Sequence, residues 1–272
     1  MSSAQTDLEV KLLLEAIYER FHYDFRAYSK ASLKRRLVQA VSHFGLDSVS
    51  DLQGKVLHEE GTFTQLLRFL TVQVSDMFRD PAFFKVLREQ IVPILRTYPS
   101  LRVWCAGCSE GEEVYSLAIL LHEEGLLERT TLYATDVNPN ALRKAEAGVY
   151  PIDRLAVFSE NHRLSGAKCS LSEYYIAKYG AAIFDRSLIR GAVFADHSLA
   201  TDSVFAEVQL VTCRNVLIYF DRSLQDRAIS LFADALGRRG FLGLGSKETL
   251  HLTKNANAFE TFAAAERWYR KW

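Results

Sequence analysis

Hydrophobic residues in the first 75 positions recur at the spacing of an α-helix. The pattern predicts helices over residues 8–20, 33–44 and 62–74, and Gly45 ends the second of them. No run in this part alternates as a β-strand would. The pattern therefore predicts an N-terminal helical domain over residues 1–75.

A different pattern begins at Asp80-Pro81. This pair predicts the start of a connecting helix within residues 76–98, since Asp can cap free amides and Pro fits the first turn. After Tyr98-Pro99-Ser100, short apolar runs alternate with helical segments. The predicted strands are 101–106, 131–135, 208–213, 241–244 and 267–272, and the predicted helices are 112–124, 138–147 and 223–236. This order predicts an α/β domain over residues 99–272, with a doubly wound, mostly parallel sheet.

The stretch between residues 150 and 192 is less regular. It holds three short apolar runs, 174–176, 182–184 and 187–189, with Gly180 between the first two. Short apolar runs separated by turn residues are typical of antiparallel strands. We expect a small antiparallel β insert around residues 174–190.

Composition narrows the class of protein. The chain of 272 residues has 33 basic and 33 acidic side chains, and 49% of all its residues are hydrophobic. This composition excludes a disordered or polybasic chain. No apolar stretch reaches the roughly 18 residues of a membrane span, so we expect a cytoplasmic protein with no membrane insertion. The four cysteines include one C-x-x-C pair, Cys105 and Cys108, and we expect no metal site.

The first predicted strand ends in a glycine-containing turn, Gly107-Cys108-Ser109-Glu110-Gly111-Glu112-Glu113. Small residues there let a ligand approach the backbone at the carboxyl end of a parallel strand. The turn matches neither dinucleotide nor Walker motifs, and its three glutamates would repel a pyrophosphate. It favours a cationic or amine-bearing ligand.

Asp136 ends the second predicted strand. A carboxylate at this position can accept hydrogen bonds from both hydroxyls of a ribose. The acidic turn and the acidic strand end together suit a nucleoside with a positive charge, such as S-adenosylmethionine. The alternative is that Asp136 caps the helix beginning at Asn138-Pro139.

Four motifs together resemble the CheR family of chemotaxis receptor methyltransferases. They are Phe78-Arg79-Asp80-Pro81 with Phe83-Phe84, residues 103–116, Ala134-Thr135-Asp136-Val137, and Cys213-Arg214-Asn215-Val216-Leu217-Ile218-Tyr219-Phe220. The similarity extends from the N-terminal helices to Trp272. It implies a class I, Rossmann-like methyltransferase fold and the esterification of glutamates on chemoreceptors by S-adenosylmethionine, with S-adenosylhomocysteine as product.

The resemblance also implies roles for individual residues. Arg79 would steer the acceptor carboxylate or anchor the cofactor's carboxylate, its alternative being an ion pair with Asp76 or Asp80. Tyr219 would orient the acceptor oxygen beside the methyl donor. The residues implied to bind the cofactor are Gln73, Ser75, Arg79, Gly107, Glu113, Asp136, Ser198 and Asn215. An ionised carboxylate needs no general base to attack a sulfonium methyl group, so a catalytic His is not expected.

The chain departs from the family pattern at several of these positions. Gln73 and Ser198 stand where the family usually has Asn, and a serine cannot pair with adenine as an asparagine does. The departures leave open a catalytically weak regulator that binds the cofactor. Methylation of RNA or of a small molecule is a further alternative. His197 could line the adenine pocket or only pack beside it.

A basic run predicts where a receptor would bind. It comprises Arg26, Lys30, Lys34, Arg35 and Arg36, and no acidic residue lies between Arg26 and Leu46. Such a helix face could dock on acidic receptor helices, or it could simply be solvated surface. The β insert resembles the subdomain that binds a receptor tail peptide in some members, but it is short. We expect a monomer that does not bind nucleic acid.

Overall fold

The computed structural model describes residues 3–251 and 253–272. The chain forms two compact units. The first contains the described residues up to Gln73 together with 198–202 and 219–228. The second contains the remaining described residues.

The first unit is built mainly from four helices. They are α1 (Ser3–Phe21), α2 (Lys30–His43), α3 (Val49–His58) and α4 (Thr62–Leu70). The residues that the sequence pattern placed inside, among them Leu13, Leu37 and Leu66, are fully buried in one cluster. The three predicted helices are confirmed, although α4 ends at Leu70 rather than at Val74.

Helix α3 was not predicted. Its hydrophobic stripe is short, and the helix begins where the Ser48 side chain accepts a hydrogen bond from the Asp51 N–H at 3.0 Å. Val49, Leu52 and Val56 are buried against the other helices. Packing within the unit therefore stabilises a helix too short to be recognised from its pattern.

The second unit contains a seven-stranded sheet. Its strands are β1 (Leu101–Ala106), β2 (Thr130–Asp136), β6 (Ala192–Asp196), β7 (Val208–Cys213), β8 (Leu236–Leu244), β9 (Phe259–Ala263) and β10 (Trp268–Lys271). The order is β6-β2-β1-β7-β8-β10-β9, parallel throughout except that β10 runs antiparallel to β8 and β9. The prediction of a mostly parallel, doubly wound sheet is confirmed.

Strand β1 lies where the chain order of the sheet reverses. It pairs in parallel with β2 on one side and with β7 on the other. The loops that follow these strands leave in opposite directions, so a crevice opens beyond their carboxyl ends. The glycine-containing turn follows β1 directly, Asp136 is the last residue of β2, and Arg214-Asn215 follow β7 directly.

Six helices complete the fold. They are α5 (Pro81–Val86), α6 (Val92–Leu95), α7 (Glu112–Glu123), α8 (Pro139–Ala147), α9 (Leu155–Leu164) and α10 (Arg222–Ala235), and a π-helical turn at Leu87–Ile91 joins α5 to α6. The expectation that Asp80 caps α5 is wrong. Its side chain makes no capping bond and instead accepts one from Arg214. Within residues 3–251 and 253–272 no helix is long and apolar enough to cross a membrane.

A second, antiparallel sheet of three strands confirms the predicted insert in part. It comprises β3 (Val149–Pro151), β4 (Tyr175–Lys178) and β5 (Ala181–Phe184), in the order β3-β5-β4. The third predicted run is not a strand. It lies in a 3₁₀ helix, Arg186–Ile189, which begins where Asp185 accepts a hydrogen bond from the Ser187 N–H at 2.8 Å.

Candidate active site

The turn after β1 is shaped by three residues in the left-handed region. Gly107, Ser109 and Gly111 have φ values of 74°, 53° and 96°. A Cβ atom on Gly107 would lie 2.5 Å from Val216 Cγ2, and one on Gly111 would lie 2.7 Å from Cα of Ala145. The two glycines are therefore required by packing inside the protein, a reason that the sequence did not show.

Asp136 joins the end of β2 to this turn. Its Oδ2 accepts a hydrogen bond from the Ser109 N–H and its Oδ1 accepts one from the Asn138 N–H, both at 2.9 Å. The carboxyl group is nearly buried, and burial raises its pKa. Each oxygen can still accept a second hydrogen bond.

The alternative role of Asp136 as a helix cap falls to another residue. Asn138 caps α8, because its side-chain oxygen accepts hydrogen bonds from the N–H groups of Asn140 at 3.0 Å and Ala141 at 3.4 Å. Asp136 orders the turn that precedes this cap.

Glu113, in the first turn of α7, is held by Arg214. The Oε2 atom of Glu113 accepts a hydrogen bond from Arg214 Nη1 at 3.1 Å, and the Cys105 thiol lies 3.8 Å from Oε1. Only 12% of the Glu113 side chain is exposed. The side chain is thus oriented by the protein while one oxygen keeps its strong acceptor capacity.

Asn215 is fixed by a buried carboxylate. The Oε2 atom of Glu248 accepts hydrogen bonds from the N–H groups of Asn215 at 3.0 Å and Gly245 at 2.6 Å, and Oε1 accepts one from Ile218 at 3.3 Å. Burial raises the pKa of Glu248. A Cβ on Gly245 would lie 2.7 Å from the Asn215 nitrogen, so the loops after β7 and β8 meet in close contact.

Arg79 lies in a strained turn. Phe78 and Asp80, on either side of it, have φ values of 51° and 57°, which side chains other than glycine rarely adopt. The Phe78 N–H donates to Ser116 Oγ at 2.8 Å, and Arg214 Nη2 donates to the Arg79 carbonyl at 2.6 Å. Neighbouring elements therefore impose the conformation of this turn.

The alternative role of Arg79, a surface ion pair, is not observed. Asp76 pairs with Arg154 at 2.7 Å, and Asp80 pairs with Arg214 at 2.9 Å. Among the residues that the structure describes, no carboxylate pairs with Arg79, whose Nη1 donates only to the Val74 carbonyl at 3.3 Å. Ser75 lies in the same segment, and its carbonyl accepts a hydrogen bond from Arg154.

Three predicted site residues belong to the first unit. The Gln73 amide donates to Thr71 Oγ1 at 2.9 Å, and the Ser198 N–H donates to Asp202 Oδ2 at 2.8 Å. The Tyr219 ring lies 5.2 Å from the Arg36 guanidinium. The other six predicted site residues, Ser75, Arg79, Gly107, Glu113, Asp136 and Asn215, belong to the second unit. The functional roles of all nine residues stay predictions.

His197 has a packing role. Its ring meets Trp104 and Phe205 edge to face, each at 5.3 Å, and its Nε2 lies 3.1 Å from the Ser203 carbonyl. Its backbone N–H donates to the Asp136 carbonyl at 3.3 Å. Through these contacts, His197 stabilises the end of β2.

Three acidic or basic residues near the strand ends were not assigned roles from the sequence. Arg214 and Glu248 form the contacts described above. The third, Glu112, is 3% exposed, and its Oε2 has no hydrogen-bond partner among the described residues. Burial raises the pKa of Glu112 to about 7. Arg214 lies inside the quoted C-R-N motif, which was the one available signal.

The predicted basic face is smaller than expected. Arg36 is buried, and its Nη1 donates to the Leu70 carbonyl. Arg26 pairs with Asp24 and Glu15, and Lys34 pairs with Asp7. Inclusion of Arg36 in an exposed face is therefore wrong, because the stripe that carries it faces the helical core.

Three of the four cysteines lie in β1, in the turn after β1 and at the end of β7. Cys105, Cys108 and Cys213 are free and buried, and burial raises the pKa of each thiol well above its usual value. Over the described ranges, 3–251 and 253–272, no cluster of three His, Cys, Asp or Glu residues could hold a metal ion.

This sheet order, with an acidic residue at the end of its second strand, defines the class I S-adenosylmethionine-dependent methyltransferases. The model of the CheR methyltransferase SAM-binding domain matches residues 73–267, and the model of the CheR methyltransferase all-alpha domain matches residues 8–71. The chain therefore belongs to the CheR methyltransferase family. Its enzyme class is methyltransferase and its cofactor is S-adenosylmethionine, as the motifs implied.

Relatives agree along nearly the whole chain. It is 55% identical over 270 residues to the putative methyltransferase Cher3 of Pseudomonas putida, covering 99% of both chains. It is 31% identical to a chemotaxis protein methyltransferase of Listeria innocua, covering 84% of both. Among solved structures it is similar to the N-methyltransferase NodS of Bradyrhizobium japonicum in complex with S-adenosylhomocysteine, with a TM-score of 0.40, 14% identity, and coverage of 72% and 89%.

The residues at the strand ends fit this cofactor. Asp136 is a carboxylate at the end of β2, and its two oxygens can together accept about four hydrogen bonds, as a group that binds two ribose hydroxyls beside backbone N–H groups requires. Glu113 is a carboxylate that a single arginine only partly neutralises, as a cationic amino group requires. No lysine lies in the turn to recruit a phosphate.

Proposed function

We propose that this enzyme methylates glutamate side chains of chemoreceptors, the methyl-accepting chemotaxis proteins, and releases S-adenosylhomocysteine. The observation that carries the proposal is the guanidinium of Arg79, which pairs with no carboxylate within residues 3–251 and 253–272, because its acidic neighbours Asp76 and Asp80 both pair with other arginines. A half-buried guanidinium without a carboxylate of its own can receive one from outside. The acceptor in this reaction is a carboxylate.

In the proposed site, Asp136 binds the ribose hydroxyls and Glu113 binds the amino group of the cofactor. Asn215, whose backbone Glu248 holds, contacts the methionyl or adenosyl part, and Gln73, Ser75, Gly107 and Ser198 complete the binding site. When bound, S-adenosylmethionine supplies a methyl group on a sulfonium. Arg79 aligns the acceptor carboxylate, and Tyr219 orients its attacking oxygen.

The acceptor needs no general base. A glutamate has a reference pKa of about 4.3 and is ionised at neutral pH, so no proton has to move before the methyl group is transferred. The protein's contribution is alignment and exclusion of water. This fits an edge whose charged residues are held by backbone N–H groups and by one buried arginine, Arg214.

The receptor would dock through the exposed basic residues of the first unit. Lys30 and Arg35 are exposed and form no ion pair with any residue in the described ranges. They are the members of the basic run whose charge is available to acidic receptor helices. A monomeric enzyme located in the cytoplasm is part of this proposal.

The test is transfer of tritium from methyl-labelled S-adenosylmethionine to membranes that carry chemoreceptors. We expect label on the receptor that alkali releases as methanol, because glutamyl methyl esters hydrolyse readily in base. A receptor with its acceptor glutamates replaced by alanine is the matched control and should remain unlabelled. Cofactor binding in a calorimeter without transfer would instead support the regulator, and label on RNA would support the nucleic-acid alternative.

A further inference from the structure

Arg214 contacts two parts of the proposed site: Glu113, which is proposed to bind the cofactor, and the turn of Arg79, which is proposed to align the acceptor. It follows β7 directly, and its side chain is 2% exposed. We infer that Arg214 is a positioning residue that holds Glu113 for the cofactor and at the same time holds the turn that carries Arg79. The inference rests on the role proposed above for Glu113.

The guanidinium reaches three acceptors on two segments of the chain. Nη1 donates to Glu113 Oε2 at 3.1 Å, in the first turn of α7. Nη2 donates to the Arg79 carbonyl at 2.6 Å and to Asp80 Oδ2 at 2.9 Å. One rigid group therefore sets the position of the carboxylate on α7 relative to the strained turn before α5.

The plane of the guanidinium is also fixed. Its carbon lies 4.2 Å from the centre of the Phe83 ring and 5.3 Å from that of Phe84. Phe83 is in turn stacked on Trp268, with ring centres 4.2 Å apart. The aromatic residues leave the guanidinium little freedom to rotate, so its Nη1 and Nη2 donors point to their acceptors before any ligand arrives.

The charge balance of the group suits a cationic ligand. Arg214 carries one positive charge against the two negative charges of Asp80 and Glu113, which leaves one net negative charge within this group of three side chains. Burial of such a group adds little net stability, because desolvation offsets the attraction. What the arginine adds is geometry, and a lysine could not reproduce it, because one ammonium group lacks the planar fork.

A double-mutant cycle tests the inference. We would measure the Kd of S-adenosylmethionine by calorimetry for the wild-type enzyme, Arg214→Lys, Glu113→Gln and the double variant. Each single variant should weaken binding about tenfold through a lost or misplaced charged hydrogen bond. If Arg214 acts through Glu113, the double variant should bind about as well as either single variant.

Arg88→Lys is the matched control. Arg88 is also a buried arginine between two carboxylates, Glu123 and Glu124, at 2.6 and 2.8 Å. It contacts none of the proposed site residues among the described ones. The variant should lower the Tm, as a lost buried fork does, and leave the Kd of S-adenosylmethionine unchanged. A Kd change in Arg88→Lys as large as in Arg214→Lys would mean that any such loss acts through the fold.

The second contact of Arg214 is tested with Asp80→Asn. This variant should lower kcat for methyl transfer severalfold while the Kd of the cofactor stays within twofold, since Glu113 remains held.

Additive losses in the double-mutant cycle, about a hundredfold together, would overturn the inference. These binding measurements need no acceptor, so they stand even if chemoreceptors are not the substrate.

Discussion

Two adjacent glutamates lie at each end of helix α7, and the two pairs differ in how far neighbouring cations compensate their charge. At its start, Glu112 is buried with an unpartnered oxygen, and Glu113 shares one arginine with Asp80. At its end, Glu123 and the following Glu124 are surrounded by Arg88, His162 and Lys168 at 2.6 to 3.1 Å. The same dipeptide thus occupies two different electrostatic environments.

The pKa values express this difference. Burial raises the pKa of Glu112 to about 7. Burial also acts on Glu123, but the hydrogen bond from His162 and the charge of Arg88 outweigh it and lower the pKa of Glu123 to about 2. Negative charge is unfavourable at a helix carboxyl end, so the second pair needs these cations, whereas the helix amino end favours the first pair without them.

Structural and functional carboxylates can be distinguished by how far the protein compensates their charge. A carboxylate that the protein fully compensates has no capacity left for a ligand, and its role is to hold elements together. Cys169 and Tyr174, for example, both lie within 3.4 Å of Glu123 Oε1. A buried carboxylate that is left under-compensated destabilises the free protein, and a cationic ligand can offset that cost.

The largest effect is expected at the structural end. Glu123→Gln should lower the free energy of unfolding at pH 7 by about 3–5 kcal/mol, because it leaves a buried arginine without one of its carboxylates. Since the pKa of Glu123 is lowered, its stabilisation is complete above about pH 4.5 and is lost as the pH falls towards 2. Urea unfolding measures this, with exposed Glu128→Gln as control. Equal stability of the two variants would contradict the comparison.

In the proposed site, Arg79→Ala should abolish methyl transfer. We expect a loss of at least about a hundredfold, or about 3 kcal/mol, in turnover, while the cofactor still binds at least weakly. Tritium transfer to receptor membranes measures it. Arg163→Ala removes an exposed arginine that, among the described residues, pairs only with Glu160, and this variant should retain full activity. Normal turnover in Arg79→Ala would remove Arg79 from the catalytic machinery.

Asp136→Asn should weaken cofactor binding by about 1–3 kcal/mol through the loss of a charged acceptor. The variant keeps the size of the side chain, and one oxygen can still accept a backbone hydrogen bond. Calorimetric titration measures the change, and exposed Asp153→Asn should bind as the wild-type protein does. An unchanged Kd would show that Asp136 only orders the turn at Ser109.

The smallest effect is a pH-dependent one at Glu112. Its raised pKa means that the folded protein binds a proton more tightly than the unfolded chain, so stability falls as the pH rises from about 4.5 to 7. Glu112→Gln should therefore stabilise the protein by about 1–2 kcal/mol at pH 8 and have no effect at pH 4. Thermal unfolding at both pH values measures this. Stabilisation of equal size at pH 4 would contradict the pKa shift.

Much of the second unit could be read from local pattern. The limits of β1 and β7 agree with the predicted strands to the residue, because each is mostly apolar and is followed directly by a glycine or a charged residue. Strands β3, β6 and β9 were missed. No residue of β6 is fully buried, and this strand exists because it pairs with β2 in the sheet.

The site shows the same division. The motifs predicted Asp136, Glu113 and Arg79 as site residues from their residue types and their positions in the chain. Arg36 was wrongly placed on a basic surface, since spacing alone does not tell which side of a helix faces the core.

The sequence by itself determined the class of fold, the family and the chemical types at the strand ends, because these depend on periodicity and on the identity of adjacent residues. Only the tertiary structure decided which carboxylates are compensated and which are left for a ligand. Residues such as Arg214, Glu113 and Asp80 lie up to 134 positions apart, and their charges meet only when the sheet has formed. Burial and charge pairing are properties of that assembly and of no single segment.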